Sequence, residues 1–321
     1  MRAVIIGGGI NGIMTSYFLS KKAKVTLIEK NSELLSEASA TNASLLMFKP
    51  NFNIYSFTPD YTNIYNGFLI NPRWCFNYLY NAPFQKEINE TQQQLSTLSK
   101  EESQQFKIPL YKGVYENNTL LDDVYILNCR KFGLELIKKL KHMYQKYPVK
   151  VITNNSVTSF KQIDNKITEV ILDDGTRVEA DLVIVCTGYS DNFPIMKIYG
   201  KSTIDYEYKP IEYKAVIEPE SGLVITYDDA SQRYCQGAII SQSKPNESSN
   251  FNMQARAVTP DGLPIIDQDR KYKNLYYNVG HGFFGWTWSF ATAKLIDDLI
   301  FEDDIEKRDQ LLQLLKGDRF W

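Results

Sequence analysis

The sequence predicts an α/β (α+β) protein with two lobes, one built on a parallel sheet and the other on an antiparallel sheet. Residues 1–29 read as strand, glycine turn, helix and strand, and residues 180–188 form a continuous apolar run typical of a strand covered on both faces. Residues 198–240 instead show short strands with alternating polarity and turn signals, which indicate antiparallel pairing. A length of 321 residues suits two lobes better than one core.

The first strand leads into the spacing Gly7-x-Gly9-x-x-Gly12 and a helix over residues 13–20, and a second strand ends in Glu29. Gly7 permits a tight turn, Gly9 lets a pyrophosphate approach the backbone, and Gly12 lets the helix pack closely on the strand. The helix N-terminus offers free N–H groups to the pyrophosphate. Glu29 is placed to accept hydrogen bonds from an adenosine ribose, and its charge repels a 2′-phosphate. This unit predicts a Rossmann-like dinucleotide site that disfavours NADP.

Periodicity predicts the elements that follow. Residues 131–147 form an amphipathic helix with an apolar residue at every fourth position from Phe132 to Tyr144. Residues 167–179 form a hairpin around the turn Asp173-Asp-Gly175. The other predicted elements are helices over 71–79, 86–105 (a surface helix) and 286–301, a charged C-terminal helix, and strands over 110–117, 149–152, 157–160 and 274–279.

Composition excludes several classes of function. A net charge of −2 removes the electrostatic case for binding nucleic acid. The four cysteines are scattered, without CxxC or Cys/His spacing, so neither a metal site nor a disulfide framework is expected. No apolar run reaches the length of a membrane span. We therefore expect a soluble, cytoplasmic protein, with peripheral membrane contact left open.

Two further glycine turns follow apolar strands. Thr187-Gly188 ends the strand within residues 180–188, and Gly280-His281-Gly282 ends the strand within residues 274–279, with Gly285 at the start of the next helix. Three such turns, if they converge, suit one elongated coenzyme. The first motif alone also fits an NAD enzyme, but the second and third turns favour FAD.

Between these turns lies Arg256, followed by Thr259-Pro-Asp-Gly262 and Pro264. Together with the glycine turns, these residues resemble the D-amino acid oxidase superfamily of FAD-dependent oxidoreductases. Within that superfamily the chain is most similar to the bacterial D-amino acid dehydrogenases and then to the glycine oxidases. The likeness is faint over residues 51–125 and 202–252.

The resemblance implies that FAD is the cofactor and that its domain is discontinuous. The FAD-binding domain is expected to comprise residues 1–50, 121–200 and 253–321, and the substrate domain residues 51–120 and 201–252. The cofactor-binding positions that the resemblance implies are Gly7, Gly9, Ile10, Asn11, Gly12, Glu29, Lys30, Asn42, Ala43, Val157, Thr187, Gly188, Gly280, Gly282, Phe283, Gly285, Trp286 and Thr287.

The resemblance also implies oxidation of the C–N bond of an amino acid, above all a D-amino acid. A hydride passes from the α-carbon to flavin N5, and the resulting imine is hydrolysed to a 2-oxo acid and ammonia. Catalysis of such a reaction depends mainly on how the substrate is positioned. Arg256 is therefore the leading catalytic candidate, because its planar guanidinium matches the geometry of the substrate carboxylate. His281, Tyr227 and Tyr234 are the other catalytic candidates, although packing alone also explains each of them.

Several alternatives stay open at this point. The same scaffold could act on glycine, a secondary amine or a 2-hydroxy acid. The chain is shorter than typical members of the superfamily, which leaves room for a non-catalytic flavoprotein subunit whose partner completes the site. The sequence does not identify the electron acceptor, which is oxygen or a quinone in this interpretation.

Overall fold

The structure, a computed structural model, describes residues 1–42, 45–48, 82–107, 111–114, 120–142, 147–205, 215–218, 223–228, 232–241, 252–302 and 306–320. The helix predicted over residues 71–79 lies outside the described residues. In chain order the strands are β1 Arg2–Ile6, β2 Lys24–Ile28, β3 Leu45–Met47, β4 Tyr111–Val114, β5 Leu120–Ile126, β6 Lys150–Ile152, β7 Val157–Ile163, β8 Lys166–Leu172, β9 Arg177–Glu179, β10 Leu182–Val185, β11 Met196–Asp205, β12 Ala215–Glu218, β13 Leu223–Asp228, β14 Gln232–Ser241, β15 Asn252–Val258, β16 Ile265–Gln268 and β17 Leu275–Val279. The α-helices are α1 Ile10–Leu19, α2 Ala82–Gln104, α3 Cys129–Lys141, α4 Gly285–Phe301 and α5 Glu306–Leu315.

The central sheet has six strands in the order β16-β17-β10-β1-β2-β6, and every neighbouring pair is parallel except β16 with β17. Strand β10 is apolar along its length and all five residues of β17 are buried, as expected for strands covered on both faces. Helices α1 and α4 contact each other beside this sheet. The prediction of a parallel α/β sheet is confirmed.

Antiparallel sheets make up the rest of the described strands. A five-stranded sheet has the order β12-β13-β14-β11-β15, and smaller sheets have the orders β3-β5-β4 and β7-β8-β9. The hairpin predicted around Asp173-Asp-Gly175 is present, closed by a hydrogen bond from Leu172 N–H to Thr176 O of 2.9 Å. The mixture of a parallel sheet with separate antiparallel sheets confirms the predicted fold class.

One helix prediction was wrong in detail. Helix α3 ends at Lys141 rather than at residue 147, because His142 is extended, and Val149 N–H donates to the Leu140 carbonyl at 2.9 Å. Helix α2 is a surface helix, as predicted. Its buried face, which includes Ile88 and Leu95, packs on α4, and its other face is exposed to solvent.

Helix α1 begins immediately after the first glycine turn, and the contact between them leaves no room for a side chain. Gly7 has a φ of +107°, which residues with a Cβ rarely adopt. A Cβ built on Gly12 would lie 1.9 Å from the Gly7 carbonyl oxygen. The helix can therefore approach the turn this closely only with glycine at position 12.

We expect Gly12→Ala to lower the free energy of unfolding by about 3 kcal/mol or to prevent folding, since its methyl group must push α1 away from the turn. Urea unfolding followed by circular dichroism measures this change. Gly285→Ala is the matched control, because its added Cβ would find its nearest neighbour at 3.9 Å, and we expect a change below about 1 kcal/mol. Equal unfolding midpoints for the two variants would contradict the close contact.

Candidate active site

The acid at the end of β2 is held against the first glycine turn. Glu29 Oε2 accepts a hydrogen bond from Gly8 N–H at 2.7 Å, and Oε1 accepts one from Asn31 N–H at 2.9 Å. Asn155 N–H donates to the Glu29 carbonyl at 3.2 Å, so the chain just before Val157 lies beside the same acid. The exposed Lys30 side chain forms a surface ion pair with Glu37 at 2.7 Å. Glu29 and the segment leading to Val157 are thus brought together, whereas the Lys30 side chain points to another partner.

The N-terminus of α1 has the features of an anion site. It carries no acidic residue in its first turn and no capping side chain at Gly9. A Cβ built on Gly9 would have one near neighbour, Ser39 Oγ at 3.1 Å, so the space beside this glycine is otherwise unfilled by the described residues. Ile10 N–H donates to the same hydroxyl at 3.0 Å. The helix end and the open side of Gly9 fit a pyrophosphate.

The three glycine turns predicted to converge do meet. A Cβ on Gly7 would lie 2.6 Å from the Cys186 carbonyl oxygen, which places the first turn against the second. Gly280 N–H donates to the Gly188 carbonyl at 2.8 Å, which joins the second turn to the third. The carboxyl ends of β1, β10 and β17 therefore share one edge of the sheet, where ligands of open α/β sheets bind.

The start of α4 contacts the segment that follows α1 and β2 in sequence. Trp286 Nε1–H donates to the Ser39 carbonyl at 3.0 Å, and Asn42 Nδ2–H donates to the same oxygen at 2.8 Å. Thr287 Oγ1 accepts from Met47 N–H at 3.1 Å. The described side-chain contacts of Trp286, Thr287 and Asn42 are thus within the protein, and they hold Ser39 and Met47 against the start of α4. Ala43 lies outside the described residues.

Arg256 is a buried cation without an anionic partner among the residues that the structure describes. Its side chain lies on β15 with 6% exposure. Nη2–H donates to the Thr41 carbonyl at 3.0 Å, Nε has no hydrogen-bond partner, and the Phe283 ring centroid lies 5.4 Å from Cζ. Burial lowers the pKa of the guanidinium to about 10. A buried charge is costly unless it is paired, so this site favours an anionic ligand.

His281 is enclosed rather than poised for proton transfer. It is 3% exposed, Nε2 lies 3.0 Å from Thr292 Oγ1, and Nδ1 has no partner among the described residues. Burial lowers the pKa of the imidazole to about 3, so the ring stays neutral near pH 7. Its described contact links the third glycine turn to α4. Nothing in this geometry requires His281 as an acid or a base.

The register of the antiparallel sheet separates the two candidate tyrosines. Tyr227 on β13 pairs with Arg233, whereas Tyr234 on β14 pairs with Thr226, the neighbour of Tyr227. Paired positions share a face and successive positions alternate, so Tyr227 and Tyr234 lie on opposite faces of the sheet. Their side chains lie outside the described residues. Each face of this sheet therefore carries only one of the two tyrosine positions.

Two residues near the site, Ser39 and Arg319, are absent from the predicted site residues. Ser39 lies at the centre of the contacts described above, which a loop of small polar residues does not reveal. Arg319, near the C-terminus, donates from Nε to Asp261 Oδ2 at 2.6 Å and from Nη2 to Asp261 Oδ1 at 3.1 Å. This bidentate pair holds the loop after β15, and Thr259 in that loop touches the Gly280 turn. The pairing spans 58 positions, so no local pattern signals it.

The described residues also contain a group of acids, Asp297, Asp298 and Glu302, whose oxygens lie within 4.8 Å of one another. Lys294 forms ion pairs with all three, and Lys22 forms another with Asp297 at 2.9 Å. These lysines supply the positive charge there. Within the described ranges, no helix combines the length and the apolar composition needed to cross a bilayer.

The parallel sheet carries three glycine turns at one edge, with a buried arginine beside them. This arrangement is typical of dinucleotide-binding α/β oxidoreductases. The chain belongs to the FAD dependent oxidoreductase (DAO) family, whose match covers residues 2–234 and 229–299.

Curated relatives match over short segments. A D-amino acid dehydrogenase from Neisseria meningitidis is 44% identical over 59 residues, which cover 18% of this chain and 14% of the relative. A D-amino acid dehydrogenase from Agrobacterium fabrum is 53% identical over 45 residues, which cover 14% of this chain and 10% of the relative. These matches therefore span about one-seventh or less of the relatives' lengths.

Solved structures match over nearly the whole chain at low identity. Glycine oxidase from Geobacillus kaustophilus has a TM-score of 0.64 at 14% identity, with 95% of this chain and 97% of that chain covered. L-proline dehydrogenase from P. horikoshii has a TM-score of 0.63 at 14% identity, with 99% and 97% covered. At this identity the likeness establishes the fold.

The environment of His281 predicts a pH dependence of stability. Its folded-state pKa of about 3 lies below the ordinary value of 6.5, so between these values the unfolded chain binds one more proton and stability falls as the pH falls. The expected loss is about 0.7 kcal/mol between pH 7 and 6 and approaches about 1.4 kcal/mol per pH unit below pH 6. Urea unfolding at pH 7, 6 and 5 measures this slope.

His281→Gln should flatten the slope by that amount, because the substituted side chain does not titrate. His142→Gln is the matched control, since His142 is the other histidine of the chain and is exposed at the end of α3. The same slope in His281→Gln and in the unsubstituted protein would show that His281 is not buried as a neutral ring.

Proposed function

We propose that this chain binds FAD and oxidises the C–N bond of an amino acid, with D-amino acids as the preferred class. The observation that carries the proposal is Arg256, a buried cation with no anionic partner among the described residues, located beside the third glycine turn, where it contacts Phe283. A carboxylate-bearing substrate supplies the missing anion. A planar guanidinium with donors left over matches such a group in two charge-assisted hydrogen bonds.

The residues around the glycine turns fit FAD. The N-terminus of α1 and the open side of Gly9 would hold the pyrophosphate, and Glu29 would hold the ribose. The backbone of Gly280 and Gly282 would face the flavin ring. When bound, FAD supplies the two-electron acceptor for the substrate hydride.

The protein's own contribution is positioning. Arg256 would fix the substrate carboxylate and so orient the α-carbon and the amine. The buried surroundings of Arg256 exclude water, which strengthens the interaction between the guanidinium and the carboxylate. His281 holds the third glycine turn through Thr292 and moves no proton in this proposal.

The names of the relatives support the choice of substrate class. The local matches are to D-amino acid dehydrogenases, and the structural neighbours include a glycine oxidase and an L-proline dehydrogenase. All of these names concern amino acids. Anaerobic bleaching of the bound flavin by D-amino acids, glycine, sarcosine and 2-hydroxyglutarate separates the candidates. Fastest bleaching by D-amino acids is expected, and no bleaching by any of them would favour a non-catalytic flavoprotein subunit.

Gly9→Val is expected to abolish flavin retention, because its side chain would fill the space proposed for the pyrophosphate. The measurement is visible flavin absorbance per chain after purification. The control is urea unfolding of the flavin-free protein, in which the variant should match the unsubstituted chain within about 1 kcal/mol, since one hydroxyl lies near the added carbon. A folded variant that still copurifies with a full complement of flavin would contradict this site.

Arg256→Ala should raise KM for D-amino acids by about 100-fold while FAD stays bound, because the substrate carboxylate loses its partner. Steady-state kinetics with the best substrate of the panel measures this change. Arg177→Ala, which removes an exposed arginine of β9, is the matched control and should leave KM unchanged. An unchanged KM in Arg256→Ala would show that Arg256 does not hold the carboxylate.

A further inference from the structure

We propose that Phe283 is a positioning residue whose ring holds the Arg256 guanidinium in the orientation that receives a substrate carboxylate. This inference rests on the proposed function and names a residue that determines its preference for carboxylate-bearing substrates. Sequence reasoning assigned Phe283 to the cofactor instead. The contacts of Phe283 with the described residues instead favour a role in positioning Arg256.

Two groups of the described residues contact the guanidinium. The Thr41 carbonyl accepts from Nη2 at 3.0 Å, and the Phe283 ring centroid lies 5.4 Å from Cζ. The first contact uses one of five N–H donors, and the second uses none. Donors therefore remain for a ligand, while two contacts on different parts of the group restrict how it can turn.

The turn that carries Phe283 is anchored on both sides. His281 forms a bridge with Val258, two residues after Arg256 on the same strand. Phe284 N–H donates to the His281 carbonyl at 3.0 Å, and the Phe284 ring stacks on Trp288 of α4 at 4.4 Å. The positions of Phe283 and Arg256 are thus fixed relative to each other by backbone contacts as well as by their own.

An aromatic ring suits this position for an electrostatic reason. Its face is negative and attracts a cation, and the attraction is strongest where water is excluded. A carboxylate at position 283 would neutralise the arginine and repel the substrate. A leucine would fill similar space without attracting the charge. The ring therefore stabilises the buried cation and leaves its hydrogen-bonding edge to the ligand.

Benzoate, a carboxylate without an amine, is the probe for this role, and its binding is followed by the change in visible flavin absorbance. We expect Phe283→Leu to raise the benzoate Kd about tenfold, the size of a desolvated cation–π contact. KM for the best D-amino acid should rise by the same factor, with kcat within about twofold, since the chemical step itself is untouched. Phe283→Tyr keeps the ring face and should restore both constants.

The outcomes separate this inference from the proposed function. If Arg256→Ala loses benzoate binding and Phe283→Leu retains it, Phe283 does not position the arginine, although the carboxylate site stands. If neither substitution weakens benzoate binding, the carboxylate site itself is wrong. Loss of flavin from Phe283→Leu at unchanged stability would assign the ring to the cofactor and overturn the inference. Phe283→Met replaces Phe283→Leu in each comparison if the leucine variant does not fold.

Discussion

The site depends on the contact of three backbone turns at one edge of the parallel sheet. The Gly7 turn lies against Cys186, and Gly188 accepts a hydrogen bond of 2.8 Å from Gly280. A side chain at position 7 would push the first turn away from the second. Because β1, β10 and β17 are neighbours in the sheet, closing the turns also brings together segments that are distant in sequence. The proposed dinucleotide site lies at this junction, and the buried Arg256 lies beside its third turn.

The buried positive charge of Arg256 makes the region beside the three turns favourable for an anionic ligand. A cation in this position is stabilised by the Thr41 carbonyl and the Phe283 ring, and neither removes its net charge. The protein thus keeps a desolvated positive charge beside the place where a coenzyme fits, at a cost in stability. A ligand carboxylate that pairs with the guanidinium would offset this cost.

The surrounding contacts keep this arrangement rigid. Ser39 joins α1 to α4, and the Asp261–Arg319 pair ties the loop after β15 to the C-terminal turn. Glycine oxidase from Geobacillus kaustophilus keeps the same fold at 14% identity. A fold shared at this identity is compatible with many different side chains.

The sequence alone determined the features that depend on interactions between neighbouring residues. Glycine spacing, continuous apolar strands and helical periodicity were sufficient for the fold class and for the acid at the end of β2, whereas Arg256 was selected through the resemblance to a known family. Only the tertiary structure decided that α3 ends at Lys141, that positions 227 and 234 belong to opposite faces of their sheet, and that Phe283 meets Arg256. These outcomes depend on pairing across the chain, through strand register and through contacts between distant segments. Patterns in neighbouring residues do not predict such pairing, because it stabilises the protein only after the distant segments are in contact.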